Sequence, residues 1–157
     1  MDTIIMDMGG DVKGESTREG YRDKIELLTF SHGVAMQMTG DISTRERTSG
    51  RPNHQDMTVT KYLDRASPIL NLRCCEGKMF PQVDIIIGLD NHGAVVELMR
   101  YTLKNVLISS ISIGGGGGDR PVETLTLNYT QITWDFKDQK PGVAAKGSWD
   151  LSTNSAR

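Results

Sequence analysis

The sequence predicts a mainly β domain: a tightly curved β-barrel of long bent strands with one short α-helix and an extended loop, in a single unit over residues 1–157. Three observations predict it. Two long runs, Tyr101–Ile113 and Val122–Phe136, flank five consecutive glycines and are rich in the β-branched and aromatic residues that suit a pleated, half-buried surface. Apolar residues change phase inside several strands, which marks bulges or sharp bends. Only one segment carries a convincing helical pattern.

Taken in chain order, Asp2–Met8 reads as a first strand that ends at Gly9-Gly10, and Asp11–Gly20 is polar and turn-like. Tyr21–Met38 is a long strand region in which Ile25 and Leu27 share one phase while Leu28, Phe30, Val34, Met36 and Met38 share the other. The same slip separates Leu125, Leu127 and Tyr129 from Ile132, Trp134 and Phe136, and Val96 and Leu98 from Tyr101 and Leu103. Repeated bends in long strands favour a closed, curved barrel over a flat sandwich.

Gly40–Asp56 departs from this pattern. It holds one large aliphatic residue, Ile42, and sets Arg45, Arg47 and Arg51 against Asp41, Glu46 and Asp56. Loops of this length without structure of their own are uncommon in compact domains and are usually functional or disordered. The expectation is a segment without structure of its own, either a floppy surface loop or an arm that becomes ordered on a neighbouring subunit. Met57–Lys61 returns to strand character.

Leu63–Glu76 supplies the helix: Leu63, Ala66, Leu70 and Cys74 fall on one face, with Ile69 and Leu72 beside them. Asp64 or Ser67 can cap its start, Pro68 suits the first turn, and Gly77 suits the position after its end. So much apolar surface on a short helix predicts a buried plug on the barrel mouth or side, with both Cys74 and Cys75 buried. Phe80–Gly88 is a strand, Asp90-Asn91-His92-Gly93 a turn, and Ala94–Ile113 the long partner strand. The glycine run and Asp119-Arg120-Pro121 form the tip of a second long hairpin, either mobile or pressed against something else. Gly147–Leu151, bearing Trp149, closes the chain as an edge strand.

Composition narrows the function. Aromatics make up 6% of the chain, so the core is mostly aliphatic plus some of the eight methionines. A formal charge of −2 argues against a partner with a nucleic-acid backbone. No apolar run approaches the roughly 20 residues that span a bilayer, so membrane insertion is not expected. The N-terminus lacks a secretory pattern, which predicts synthesis as a soluble cytosolic protein and, if exported, a route that reads no cleavable signal.

No residue set reads as a catalytic, cofactor or metal site. Gly114–Gly118 lacks the Gly-Lys-Ser/Thr ending of a phosphate loop and opens a strand. Ser31-His32 and Ser109-Ser110 sit in no nucleophile elbow. His32, His54 and His92 match no local metal spacing, and the adjacent Cys74 and Cys75 supply too few ligands.

Several motifs do fit a known pattern in order and spacing. Asp11-Val12-Lys13-Gly14-Glu15-Ser16 precedes Thr60-Lys61-Tyr62-Leu63-Asp64, which leads to Ser67-Pro68. Tyr101-Thr102-Leu103-Lys104-Asn105-Val106, Ser109-Ser110, the glycine loop, Glu123, Thr126-Leu127-Asn128-Tyr129 and Trp134 come next, and Gly147, Trp149, Leu151 and Asn154 finish the series. Together they resemble the Hcp (haemolysin-coregulated protein) family of type VI secretion, nearly end to end.

That resemblance implies a structural, non-enzymatic subunit that forms hexameric rings. The rings stack into the inner tube that a contractile sheath drives into a target cell; sheath and VgrG-type spike proteins are partners, and the rings hold effector cargo in the lumen. No cofactor is implied. The residues expected at subunit or ring contacts are Arg45, Glu46, Arg47 and Arg51 of the arm, with Gly114, Gly115, Gly116, Gly117 and Gly118. A small-molecule-binding β-barrel is the alternative reading, although the aliphatics and the helix look sufficient to fill such an interior.

Overall fold

The computed structural model describes residues 2–39, 48–137 and 145–156. Before the helix lie β1 (Asp2–Asp7), β2 (Ile25–Leu27), β3 (Thr29–Ser31), β4 (Val34–Thr39), β5 (Thr48–His54) and β6 (Met57–Tyr62). Helix α1 spans Ser67–Glu76. After it come β7 (Phe80–Asn91), β8 (Ala94–Gly114), β9 (Val122–Asn128), β10 (Gln131–Phe136), β11 (Ala145–Asp150) and β12 (Ser155–Ala156).

The long hairpins predicted from the sequence organise the fold. Strand β8, 21 residues long, serves two walls. Its first half pairs with β7 on one side and with β10, through Met99–Lys104, on the other. Its second half pairs with β9 through Leu107–Gly114. One path therefore runs β12-β11-β10-β8-β7-β1-β2, and a branch runs β8-β9-β6-β3. Between the two halves, Asn105 takes a left-handed backbone with φ 54°.

The expectation of a closed barrel is overturned: the protein is mainly β with one short helix, but its sheets are open. β2 and β12 end one path, β3 ends the other, and among the described residues no ladder joins these ends. The bends read from the phase slips are present, and they do different work. Leu28 separates β2 from β3, and Tyr129-Thr130 separates β9 from β10. At each, the chain passes from one wall to the other instead of curling a single wall to closure. That is why apolar residues occupy both phases: each phase serves a different layer.

The β7–β8 register shifts at Ile87/Gly88, where Met99 and Glu97 are the partners and Leu98 is left over. Glycine is required there, because a Cβ on Gly88 would lie 2.5 Å from Val95 Cγ1 and 2.9 Å from the Val96 carbonyl oxygen. The core beneath is aliphatic with methionine, as composition implies: Ile5, Met6, Ile25, Met57, Leu70, Ile85, Leu103, Leu125, Leu127 and Ile132 are sealed from solvent.

Helix α1 starts four residues later than its apolar pattern predicts. Neither proposed cap bonds the first turn from the N-cap position, which Ala66 occupies. Asp64 instead accepts the Ala66 amide at 3.0 Å, and the Ser67 hydroxyl accepts the Asp64 amide at 3.1 Å. Pro68 does lie in the first turn, and Gly77 closes the helix in the left-handed region with φ 62°. The helix lies on β8 and buries Ser67 and Leu70, while Leu72 faces outward. Contrary to expectation, Cys75 is exposed and Cys74 only half-buried, because ten residues resting on one strand can turn little more than one residue per turn inward.

The arm is also corrected. Thr48–His54 is a strand, β5, paired with β4 in a separate two-stranded sheet with an irregularity between Met36 and Met38. Its sequence, with no apolar alternation and with Pro52 inside it, reads as loop. Proline is tolerated because, among the described residues, neither arm strand has a second neighbour, so a missing N–H disturbs no inner ladder. Residues 40–47 lie outside the described residues.

Candidate assembly surface and the root of the arm

The glycine tip continues directly from β8. Gly114, Gly116, Gly117 and Gly118 have open space where a Cβ would stand, and only Gly115 would meet a neighbour, Pro121 Cβ at 3.1 Å. Among the five, Gly118 alone needs glycine for its backbone, with φ 99°. The tip is fully exposed and nothing described in the same subunit presses on it. The residues on its far side are anchored. Pro121 accepts the Leu63 amide at 3.0 Å, and Arg120 lies 5.8 Å from the centre of the Tyr62 ring and 3.2 Å from the Glu15 carboxylate.

Of the expected arm contacts, Arg51 is described, and Arg45, Glu46 and Arg47 lie outside the described residues. Arg51 Nη2 donates to the Leu151 carbonyl at 3.1 Å, which ties β5 to the end of β11. Arg51 and the glycine tip therefore have different neighbours and form two patches, not one.

Where the arm leaves the body, the structure brings together residues far apart in sequence. His32, just before β4, and His54, the last residue of β5, stand with ring centres 6.1 Å apart. Tyr101 from β8, Tyr129 from the β9–β10 corner and Trp134 from β10 surround them. The Tyr129 hydroxyl bonds His32 Nε2 and donates to the Gln55 carbonyl at 3.0 Å. Burial pushes both imidazoles below their ordinary pKa, and the His54 charge lowers His32 further. No local motif predicts this pairing: in the sequence His32 lies in a strand run and His54 inside the charged arm. His92 sits apart, in the β7–β8 turn with φ 51°. Among the described residues no group of three or more His, Cys, Asp or Glu side chains is placed to hold a metal ion.

Sequence reading also missed the outer face of the β3-β6-β9-β8 wall. Register places Thr29, Thr60, Thr124 and Ser112 in one row across four strands, and Ser31, Thr58, Thr126 and Ser110 in the next. Neighbours in these rows bond one another, Thr29 to Thr60 and Ser110 to Thr126, each at 2.6 Å. The signal was present as Thr-x-Ser, Thr-x-Thr and Ser-x-Ser in the phase opposite the apolar residues. It becomes a surface only once the pairing is known. These two rows consist of uncharged hydroxyl side chains.

Residues 5–136 match the family described as "Type VI secretion system effector, Hcp". The chain is 37% identical over 151 residues to "Protein hcp1" of Pseudomonas aeruginosa, covering 92% of this chain and 93% of that protein. It is 23% identical over 151 residues to the "Major exported protein" of the same organism, covering 88% and 83% respectively. Among solved structures, a "type six secretion system protein" superposes with TM-score 0.89 at 28% identity over 100% of both chains. Hcp1 from Salmonella typhimurium shares the fold, with TM-score 0.84 at 22% identity over 99% of both.

Proposed function

Since the chain belongs to the Hcp family of type VI secretion, it is an exported ring and tube subunit, and we propose how its surfaces build that assembly. Six copies close the ring. The arm reaches from one ring to the next, and the glycine tip accepts a neighbouring subunit's backbone at close range. The observation that carries the reading is the end-to-end match with "Protein hcp1". The surface is consistent with it: Val34, Met36, Met79 and Ile113 remain exposed, Ile113 by 55%, so one subunit does not absorb all its apolar residues. The bare backbone at Gly116 and Gly117 leaves room for a contact that any side chain would obstruct.

The partners we propose beyond the ring are the contractile sheath, a VgrG-type spike protein and effector cargo in the lumen. The uncharged hydroxyl rows suit a wall past which folded cargo moves, since they offer neither a strong charge nor a large apolar patch to hold it. We assign no catalytic role to any side chain. The histidine pair is packed on aromatic rings, and the small-molecule-binding alternative loses its premise because the sheets are open.

Light scattering after gel filtration tests the ring. The expected mass is six times 17.3 kDa. A species that stays monomeric at high concentration rejects the reading.

A further inference from the structure

Both legs of the arm leave the body through a histidine. His54 pairs with Val34 on the first rung of the β4–β5 ladder, and His32 lies two residues before that rung. Just beyond, the Gln55 amide donates to the Gly33 carbonyl at 2.9 Å. The two imidazoles thus flank the backbone bond that holds the legs together at the hinge.

Their surroundings are built for the neutral ring. Tyr129 donates its single hydroxyl proton to Gln55, so His32 Nε2 donates to the Tyr129 oxygen, a bond that the neutral Nε2–H tautomer already satisfies. His54 Nδ1 is buried with no hydrogen-bond partner. A second proton on either ring would place a charge among Tyr101, Tyr129 and Trp134, with the other histidine 6.1 Å away. The titratable groups facing the pair do not compensate. Burial raises Tyr101, and burial followed by the Asp56 charge raises Tyr129, so both stay neutral. The Asp56 carboxylate accepts hydrogen bonds from Ser109 at 2.7 Å and Asn128 at 3.0 Å. Phe30 of β3 and Trp134 of β10 carry no charge.

We propose that His32 and His54 form a proton-operated latch at the arm root: neutral, they lock the arm to the body; protonated, they leave the aromatic box and release it. The sign comes from the neutral environment. The released histidines titrate at about 6.5 and the latched ones below that. Latching is therefore complete above pH 6.5 and is lost as pH falls below it, through the lowered values. With two protons taken up per subunit, the latched-to-released ratio falls by up to about a hundredfold per pH unit in that window. On the proposed reading of the arm as the ring-stacking element, acid separates rings before it unfolds subunits.

Hydrogen exchange on the assembled full-length protein tests the latch at pH 7.5 and 5.5, after correction for intrinsic rates. Protection in residues 32–36 and 52–56 is expected to fall at least tenfold at the lower pH, while β6 and β9 keep theirs. In the His32→Gln, His54→Gln variant, where both side chains can still hydrogen-bond but neither titrates, protection should be the same at both pH values. Equal protection in the wild type, or a pH response that survives the double substitution, overturns the proposal. If that variant does not fold, NMR titration of the wild-type imidazoles decides: midpoints below 6.5 support the latch, and midpoints at or above 6.5 reject it. Electron microscopy separates the two readings, because an arm that opens while tubes keep their length upholds the latch and rejects the arm as the stacking element.

Discussion

Lys61 of β6 and Glu123 of β9 face each other across the ladder, Nζ 2.9 Å from Oε2, and both are sealed from solvent. The contact is a charge pair without hydrogen-bond geometry, since neither Glu123 oxygen accepts a directed bond. The reason lies on the lysine. Its ammonium reaches Asp64 at 2.8 Å, Ser67 at 3.1 Å and the Tyr62 carbonyl at 3.2 Å, which uses its three protons. Glu123 is left with Coulomb attraction alone, and Lys61 fastens the start of α1 to the sheet.

Removing one member of this pair strands the other in the core. Lys61→Met is expected to cost about 3–5 kcal/mol, and the double substitution Lys61→Met, Glu123→Leu should recover much of that loss. Urea unfolding of the single and double variants checks it. A double variant no more stable than Lys61→Met alone would show that Lys61 acts through α1 rather than through Glu123.

Glu97 makes the subunit acid-sensitive at a second place. Burial alone would raise its carboxyl, but hydrogen bonds from Arg100, Tyr21 and Lys137 outweigh burial and hold it at about 2. A folded pKa below the ordinary value of 4.5 adds stability that is complete above 4.5 and is lost as pH falls toward 2. The stability gap between wild type and Glu97→Gln should therefore be widest near neutrality and close between pH 4.5 and 2. Chemical denaturation across that range measures it, and a gap independent of pH contradicts the assignment.

The arm is expected to act between rings. Arg45→Glu with Arg47→Glu should leave subunit unfolding unchanged and sharply reduce ring-on-ring stacking and export. Each exposed ion pair contributes only about 0–1 kcal/mol, so the effect comes from repetition around the ring and should be strongest at low salt. Electron microscopy beside a secretion assay decides; normal tubes with normal export mean that the arm is a surface hairpin only.

The histidines differ in what they support. His92→Ala, in an exposed turn, should change neither ring formation nor export. His32→Ala should cost about 1 kcal/mol through its lost bond to Tyr129, plus its ring contacts. Rings that form from the His92→Ala variant should still be exported. A hydrolytic or transfer activity lost from normal rings would make the protein an enzyme.

Much of this architecture was legible in the chain. The β7–β8 turn at His92-Gly93, the length of β8, the bend at Leu28 and the helix stop at Gly77 each depend on local chemistry that a sequence displays. Closure is not local. Phase slips announce that strands bend, but which edges then meet depends on pairings between distant segments, and the barrel expectation failed there. β5 was hidden because Thr48–His54 has no apolar alternation and carries Pro52. Lys61 was hidden by its type: lysine reads as exposed, although Met57, Val59 and Lys61 share one phase and all three are buried. The histidine pair needed two segments 22 positions apart to meet beneath a corner 75 positions further on.

Because β8 belongs to both walls, the subunit has no internal seam along which one wall could slide off the other. Antiparallel ladder bonds lie perpendicular to their strands. A thrust directed along β8 therefore loads the bonds to β7, β10 and β9 together, as a riveted plate shares a shear load, instead of peeling them one at a time. The hinge of such a body lies outside that plate, in the two legs of the arm, so a ring pushed from behind should bend at its couplings before any wall gives way.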